Sequence, residues 1–249
     1  MVSETIQEFI EHAYLDTKIE RFSMGVIHNV EHEKNTMPAN IFDRYQKIIL
    51  RFFDSSSLIK ELKQIILTRT DELQMQQILN FMHQPTFKFF TQKEESAKSL
   101  QASPEMQTFF TELQASPPTA NRKALIEKID KAVGSSALVL DMQIALFQAI
   151  AWGMRKVNPN AQSITQAHLQ QMALEMKEKL SLQVSQQIWM SMLFAYKDVS
   201  DDELHNYLTL NESPEGQLTA SFIRTVYFDM HQHTTRQLQY ALEETFTDI

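Results

Sequence analysis

The sequence predicts an all-α protein, a helical bundle built from two tandem, diverged multi-helix repeats. Three observations carry this. The 249 residues include only 4 Gly and 7 Pro, where average usage gives about 17 and 12, and Gln, Leu, Met, Glu, Ala and Lys fill long unbroken stretches that favour helix. Apolar residues recur at helical spacing along nearly the whole chain. The pattern leading into Pro85 returns in front of Pro214, 129 positions later. With 43% hydrophobic residues the chain can bury a sizeable core, as one large domain or two smaller ones.

Taken in order, Ser3 is placed to cap a first helix with Ile6, Phe9, Ile10 and Ala13 along one side. Asp16 is placed to cap a second that carries Ile19, Phe22, Ser23, Val26, Ile27 and Val30. After "NTMPAN", with Pro38 suited to a first helical turn, the stripe is Ile41, Tyr45, Ile48, Ile49 and Phe52. "DSSS" at 54–57 opens a helix bearing Leu58, Leu62, Ile65 and Ile66, and Thr70-Asp71 a short one with Met75, Ile78, Leu79 and Met82. Gln84-Pro85 restarts the chain into an aromatic-rich helix through Phe87, Phe89, Phe90, Ala97 and Leu100. Ser103-Pro104 opens one more, with Met106, Phe109, Phe110 and Leu113.

"QASPPTAN", residues 114–121, is the strongest boundary, because two consecutive prolines cannot occupy a helix interior and each pushes the residue before it to an extended conformation. It divides the chain into an N-terminal repeat, 1–116, and a C-terminal repeat, 117–249. Beyond it a helix with Leu125, Ile129, Ala132 and Val133 ends at Gly134, suited to a C-cap. The apolar run Ala137–Trp152 follows; with 16 residues and Asp141, Gln143 and Gln148 inside, it reads as a buried core helix rather than a membrane span. The turn "VNPNAQS" leads to a stripe at Ile164, His168, Met172, Met176 and Leu180, then a separate segment with Ile188, Trp189, Met192 and Ala195. A short helix from Ser200 and a long one opened by Ser213-Pro214 complete the chain.

At the offset of 129, Met75 falls on Leu204, Ile78 on Tyr207, Leu79 on Leu208, Phe81 on Leu210 and Phe89 on Leu218, so apolar character returns with almost no identity. The first helices align best near an offset of 119, with Ile10 on Ile129 and Ala13 on Ala132. A single irregular bundle is the alternative to a duplication.

Charge excludes one class of function. The net charge is −8, with 23 Lys plus Arg against 31 Asp plus Glu, and the cations are scattered, a surface that repels phosphate backbones. The helix-turn-helix look of 202–224 does not change this, because Arg224 stands alone among Glu212, Glu215 and Asp229. With no Cys there are no disulfides, thiolate metal sites or cysteine nucleophiles. Met1-Val2-Ser3-Glu4 runs straight into an amphipathic pattern without the basic and apolar regions of a secretory signal, so for an exported protein a native start upstream is the expectation.

The sharpest local signature is Ser200-Asp201-Asp202-Glu203, a capping box joining Ser200 and Glu203. Ser213-Pro214-Glu215-Gly216 is a second helix start, with Ser213 as cap and Pro214 in the first turn. Gly216 costs about 1 kcal/mol against alanine inside a helix, so it calls for close approach of the preceding helix or for a ligand pressed on the backbone. His28 and His32 are the best-spaced metal pair, being four apart, but a helical wheel puts them opposite Ile19, Phe22, Val26 and Val30, on the solvated side. His231 and His233 are two apart and point away from each other. Neither these nor His168 and His205 compose a metal site, and no catalytic, cofactor or metal residue is assigned. Phe81, Met82, Phe87, Phe89 and Phe90 either line an adaptable apolar groove or are plain core.

The segment 200–238 resembles the core of a bacterial family of helical, usually exported proteins known as domain-of-unknown-function family 2059. An acidic capped helix leads to an aromatic-aliphatic pair, then Ser/Thr-Pro-x-Gly and a long amphipathic helix; Tyr207, Leu208, Ser213, Pro214 and Gly216 match. The stretch 70–97 looks like a diverged second copy that keeps Pro85 but has Gln84 and Phe87 where the pattern has Ser/Thr and Gly. The resemblance implies an all-helical, periplasmic protein, with a cytoplasmic location as the alternative, and brings no activity, cofactor or catalytic residue.

Three functions compete. The first is a non-enzymatic module that binds a protein or envelope component through grooves between helices. The second is a carrier of an apolar small molecule or lipid in a Phe- and Met-lined cavity, and the third a metal-dependent hydrolase using some of the histidines. Neither a nucleic-acid partner nor a transmembrane span is expected, and the oligomeric state is left open.

Overall fold

The computed structural model describes residues 2–100, 103–157 and 164–247. Among them are twelve α-helices, one 3₁₀ turn at Glu33–Asn35 and no strand. In chain order the helices are α1 (Val2–His12), α2 (Leu15–His32), α3 (Ala39–Phe52), α4 (Ser55–Arg69), α5 (Glu72–Met82), α6 (Pro85–Ser99), α7 (Pro104–Ala115), α8 (Ala120–Val133), α9 (Ser135–Gly153), α10 (Gln166–Ala195), α11 (Asp201–Glu212) and α12 (Pro214–Thr245). The protein is therefore all-α, as composition and periodicity predict.

Helix starts follow local side-chain chemistry. Asp54, Asp71, Ser103, Thr119 and Ser200 each accept from the backbone N–H three residues on, which satisfies donors that a helix leaves unpaired. Gly134 closes α8 in the left-handed conformation, φ 73°. Some expected starts move. Ser3 lies inside α1, and α2 begins at Leu15 behind Tyr14, which takes φ 51°, so Asp16 falls in the first turn, not at the cap. Pro38 is the N-cap residue of α3.

Two expectations for the second half are corrected. Residues 166–195 form one continuous helix, α10, instead of two segments, because nothing between them interrupts the backbone hydrogen bonds. Its buried residues in the first half are Leu169 and Ala173, whereas His168 is exposed. Helix α9 is longer than the apolar run and only partly buried: Leu140, Met142, Ile144, Ala149 and Gly153 are inside while Leu146, Phe147 and Trp152 are half-exposed. By length and composition alone, it is long and apolar enough to cross a membrane. Most of the turn expected at 157–163 lies outside the described residues.

The chain folds into two compact units, which take the described residues of Met1–Ala13, Asp71–Val139 and Ser181–Arg224, and of Tyr14–Thr70, Leu140–Leu180 and Thr225–Ile249. Each draws on both sides of residue 116.

In the first unit, Phe90, Met106, Ile126, Ile129, Leu193, Phe194, Tyr196, Leu204, Tyr207 and Leu208 form a continuous apolar core. Phe90 stacks on Tyr207 with ring centres 4.0 Å apart and meets the edge of Tyr196 at 5.3 Å. Arg122 of α8 closes the α10–α11 connection: its guanidinium donates to the carbonyls of Tyr196 (2.5 Å) and Val199 (2.9 Å) and pairs with Asp201 at 2.9 Å. The Tyr196 carbonyl also accepts from the Val199 N–H at 2.9 Å, so the guanidinium adds a second donor there and ties α8 to the turn that follows α10.

In the second unit, Ile19, Tyr45, Ile49, Phe53, Leu58, Leu62, Ile66, Val226, Met230, Leu238 and Leu242 are buried. Gly153 lets α9 approach α12, since a Cβ there would lie 2.5 Å from the Cβ of Leu242. His231 is fully buried, donates from Nε2 to the Met142 carbonyl at 2.7 Å and leaves Nδ1 unpartnered. Burial pulls its pKa down to about 4, so it is neutral in the folded protein at pH 7.

Candidate functional site

The joint between α11 and α12 is built as its residues dictate. Ser213 Oγ accepts from the Gly216 N–H at 3.0 Å and donates to the Leu210 carbonyl at 2.7 Å, joining the end of one helix to the start of the next. Pro214 occupies the first turn, where its missing N–H costs nothing. Gly216 is buried against the preceding helix, whose Leu210 and Asn211 carbonyl oxygens would lie 2.4 and 2.7 Å from any Cβ at that position. The Ser200–Glu203 capping box is complete, with the Ser200 N–H donating to Glu203 at 2.8 Å and the Glu203 N–H to Ser200 at 3.3 Å. The Ser200 hydroxyl, donating to the Glu203 carboxylate at 2.7 Å, and then the Ser200 N–H hold that carboxyl below its ordinary pKa.

Beside this joint lies an open cleft of about 410 Å³, lined by Gln77, Asn80 and Phe81 of α5, the cap residue Gln84, and Pro214, Glu215 and Leu218 of α12. Of the two proline-marked helix starts, one contributes the cap residue Gln84 and the other Pro214 and Glu215. Phe81 and Leu218 give it an apolar floor, with Phe81 2% exposed. Gln77, Asn80, Gln84 and Glu215 are exposed along the rim.

The five candidate groove residues divide. Met82, Phe87 and Phe90 are inside, Phe81 is buried and lines the cleft, and Phe89 alone is substantially exposed, beneath the Lys93 ammonium at 5.5 Å. Phe81 and Phe87 pack edge to face at 5.3 Å. Tyr207 and Leu208 are core residues as well. The hydroxyls of Tyr196 and Tyr207 donate to one oxygen of Glu94 at 2.6 and 3.3 Å, and burial drives both tyrosine pKa values upward. Glu94 carries no signal that sets it apart in the sequence; only the fold brings two tyrosines to it.

His28 and His32 are exposed on α2, with their Nε2 atoms 3.1 Å apart. His168 and His205 are exposed too. His231 points into the core while His233 faces solvent beside Glu61, in a polar cleft of about 480 Å³ that Arg69, Asp229 and Arg236 also line. Arg69 is held there by Asp229 at 2.8 Å.

A group that the sequence reading did not single out is Glu8, His12 and His83, brought together where α1 packs on α5. His83 Nε2 is 2.9 Å from Glu8 Oε1 and 3.1 Å from His12 Nε2, and His12 Nε2 is 3.8 Å from the same carboxylate oxygen. The i, i+4 spacing of Glu8 and His12 was visible in the sequence; the third member, 71 positions on, was not. Partial burial lowers the His12 pKa, with His83 and Lys88 acting in the same sense and Glu8 and Glu11 opposing. No family model matches the chain, and no curated protein or solved structure matches it.

Proposed function

We propose that this chain is a non-enzymatic helical binding protein of the bacterial envelope, periplasmic in location, that holds a short extended peptide of basic character in the cleft beside the α11–α12 joint. The observation that carries the reading is the lining of that cleft: an apolar floor of Phe81 and Leu218 beneath the carboxamides of Gln77, Asn80 and Gln84. A carboxamide offers a donor and an acceptor together, the pair that a peptide group needs. The volume falls within the range of small-ligand sites, of about 300–1,000 Å³, and suits a few residues rather than a folded surface. Glu215 on the rim and the net charge of −8 favour a cationic segment.

The envelope location rests on the resemblance of residues 200–238 to the exported helical family. A duplicated origin fits the same reading. The N-caps Asp71 and Ser200 and the starting prolines Pro85 and Pro214 are both 129 positions apart, α5 and α11 have matching first residues at that offset, and α1 and α8, the aligned first helices, share a unit. The aromatics that would have to wall a lipid cavity are instead each other's partners, as in the Phe81–Phe87 and Phe90–Tyr207 pairs, which favours binding at the surface.

Panning a random peptide library against the chelator-treated chain tests the proposal. Basic extended peptides should be enriched, and their binding should fall by about tenfold or more in Leu218→Lys and in Glu215→Lys, since central contacts dominate such sites. Failure to enrich any sequence, or equal binding by Leu218→Lys, refutes it.

A further inference from the structure

We propose that Glu8, His12 and His83 bind one divalent transition-metal ion of the zinc class, held between the C-terminal ends of α1 and α5. The three donor atoms stand 2.9, 3.1 and 3.8 Å from one another. A triangle with these sides has a circumscribed radius of roughly 1.9 Å, so a point just off its plane lies about 2.0–2.1 Å from all three atoms, the distance that zinc takes from imidazole nitrogen and carboxylate oxygen. Two imidazoles and one carboxylate are a donor set suited to such ions, and three protein ligands leave coordination positions for water or for a donor from a partner.

The electrostatics agree. His12 is the last residue of α1 and His83 the C-cap residue of α5, so the negative ends of two helix dipoles converge on the site. Glu11 adds a further acidic group, and Lys88 is the cation that opposes. By contrast, His28 and His32 have the same 3.1 Å separation but lie on one helix, and among the described residues no third donor joins them.

The test is isothermal titration of Zn²⁺ into the tag-free, chelator-stripped 249-residue chain, with thermal unfolding beside it. One ion per chain should bind at pH 7.5 and raise the Tm, because only the folded chain presents the site. His83→Ala should lose binding by about tenfold or more and lose the Zn²⁺-dependent rise in Tm; His83 is 40% exposed, so its removal empties no core. His28→Ala should bind as the parent does. Absence of binding, or binding kept by His83→Ala and lost by His28→Ala, overturns the proposal. Peptide binding by the metal-free chain is a separate measurement, so the two proposals fail independently.

Discussion

Gly216 rests against the carbonyl end of α11, 2.4 Å from the Leu210 oxygen when measured from where its Cβ would be. Two helices meet through a contact that any side chain would prevent. In an exposed helix, replacing glycine by alanine stabilises by about 1 kcal/mol; here the atom met is backbone and cannot swing aside. Gly216→Ala is therefore expected to destabilise the protein by about 1–3 kcal/mol, a reversal of sign that urea denaturation would register.

Arg122 is a second such closure, made by charge. It is 17% exposed and supports the carbonyls of Tyr196 and Val199 together with Asp201. Arg122→Ala takes the guanidinium from the Val199 carbonyl and from Asp201, while the Tyr196 carbonyl keeps the Val199 N–H and Asp201 keeps the Asn121 amide; the loss should cost about 2–3 kcal/mol. Arg122→Lys should recover less than half, because an ammonium cannot reproduce the guanidinium fork. Chemical denaturation of the pair of variants checks both values.

His231 gives the fold a pH dependence. Its folded pKa of about 4 lies below the ordinary 6.5, so between those values the unfolded chain holds a proton that the folded chain refuses. Stability from this group is complete above pH 6.5 and is lost as pH falls toward 4, by about 3 kcal/mol in all. His231→Phe should flatten the slope between pH 6.5 and 5, measured as unfolding free energy at several pH values. An unchanged slope would assign the dependence to other groups.

The Glu94 carboxylate should stabilise unequally through its two tyrosines. Tyr196 donates at 2.6 Å and Tyr207 at 3.3 Å. Tyr196→Phe is expected to cost about 2 kcal/mol and Tyr207→Phe about 1 kcal/mol or less, hydrogen bonds to charged groups being worth about 1.5–3 kcal/mol when short. Double-mutant cycles with Glu94→Gln should show non-additivity for both pairs, larger for Tyr196.

What the sequence by itself determined is what depends on near neighbours along the chain. A cap needs only a hydroxyl or carboxylate three residues before its partner, so Asp54, Asp71, Ser103, Ser200 and Ser213 could be read directly, as could the left-handed end at Gly134. The solvated face of His28 and His32 followed from a helical wheel, which is again local. Tyr14 escaped notice because an αL tyrosine has no compositional signal, and α10 looked like two helices because its apolar stripe fades before it resumes. Tertiary structure alone decided which faces meet: that α9 is only half covered, that Phe87 and Phe90 are core while Phe81 also edges a cleft, and that His83 comes to Glu8 and His12 across 71 positions. A helix is set by hydrogen bonds four residues long, whereas a site is set by the contact of two surfaces, and periodicity says that a surface is apolar without saying what will cover it.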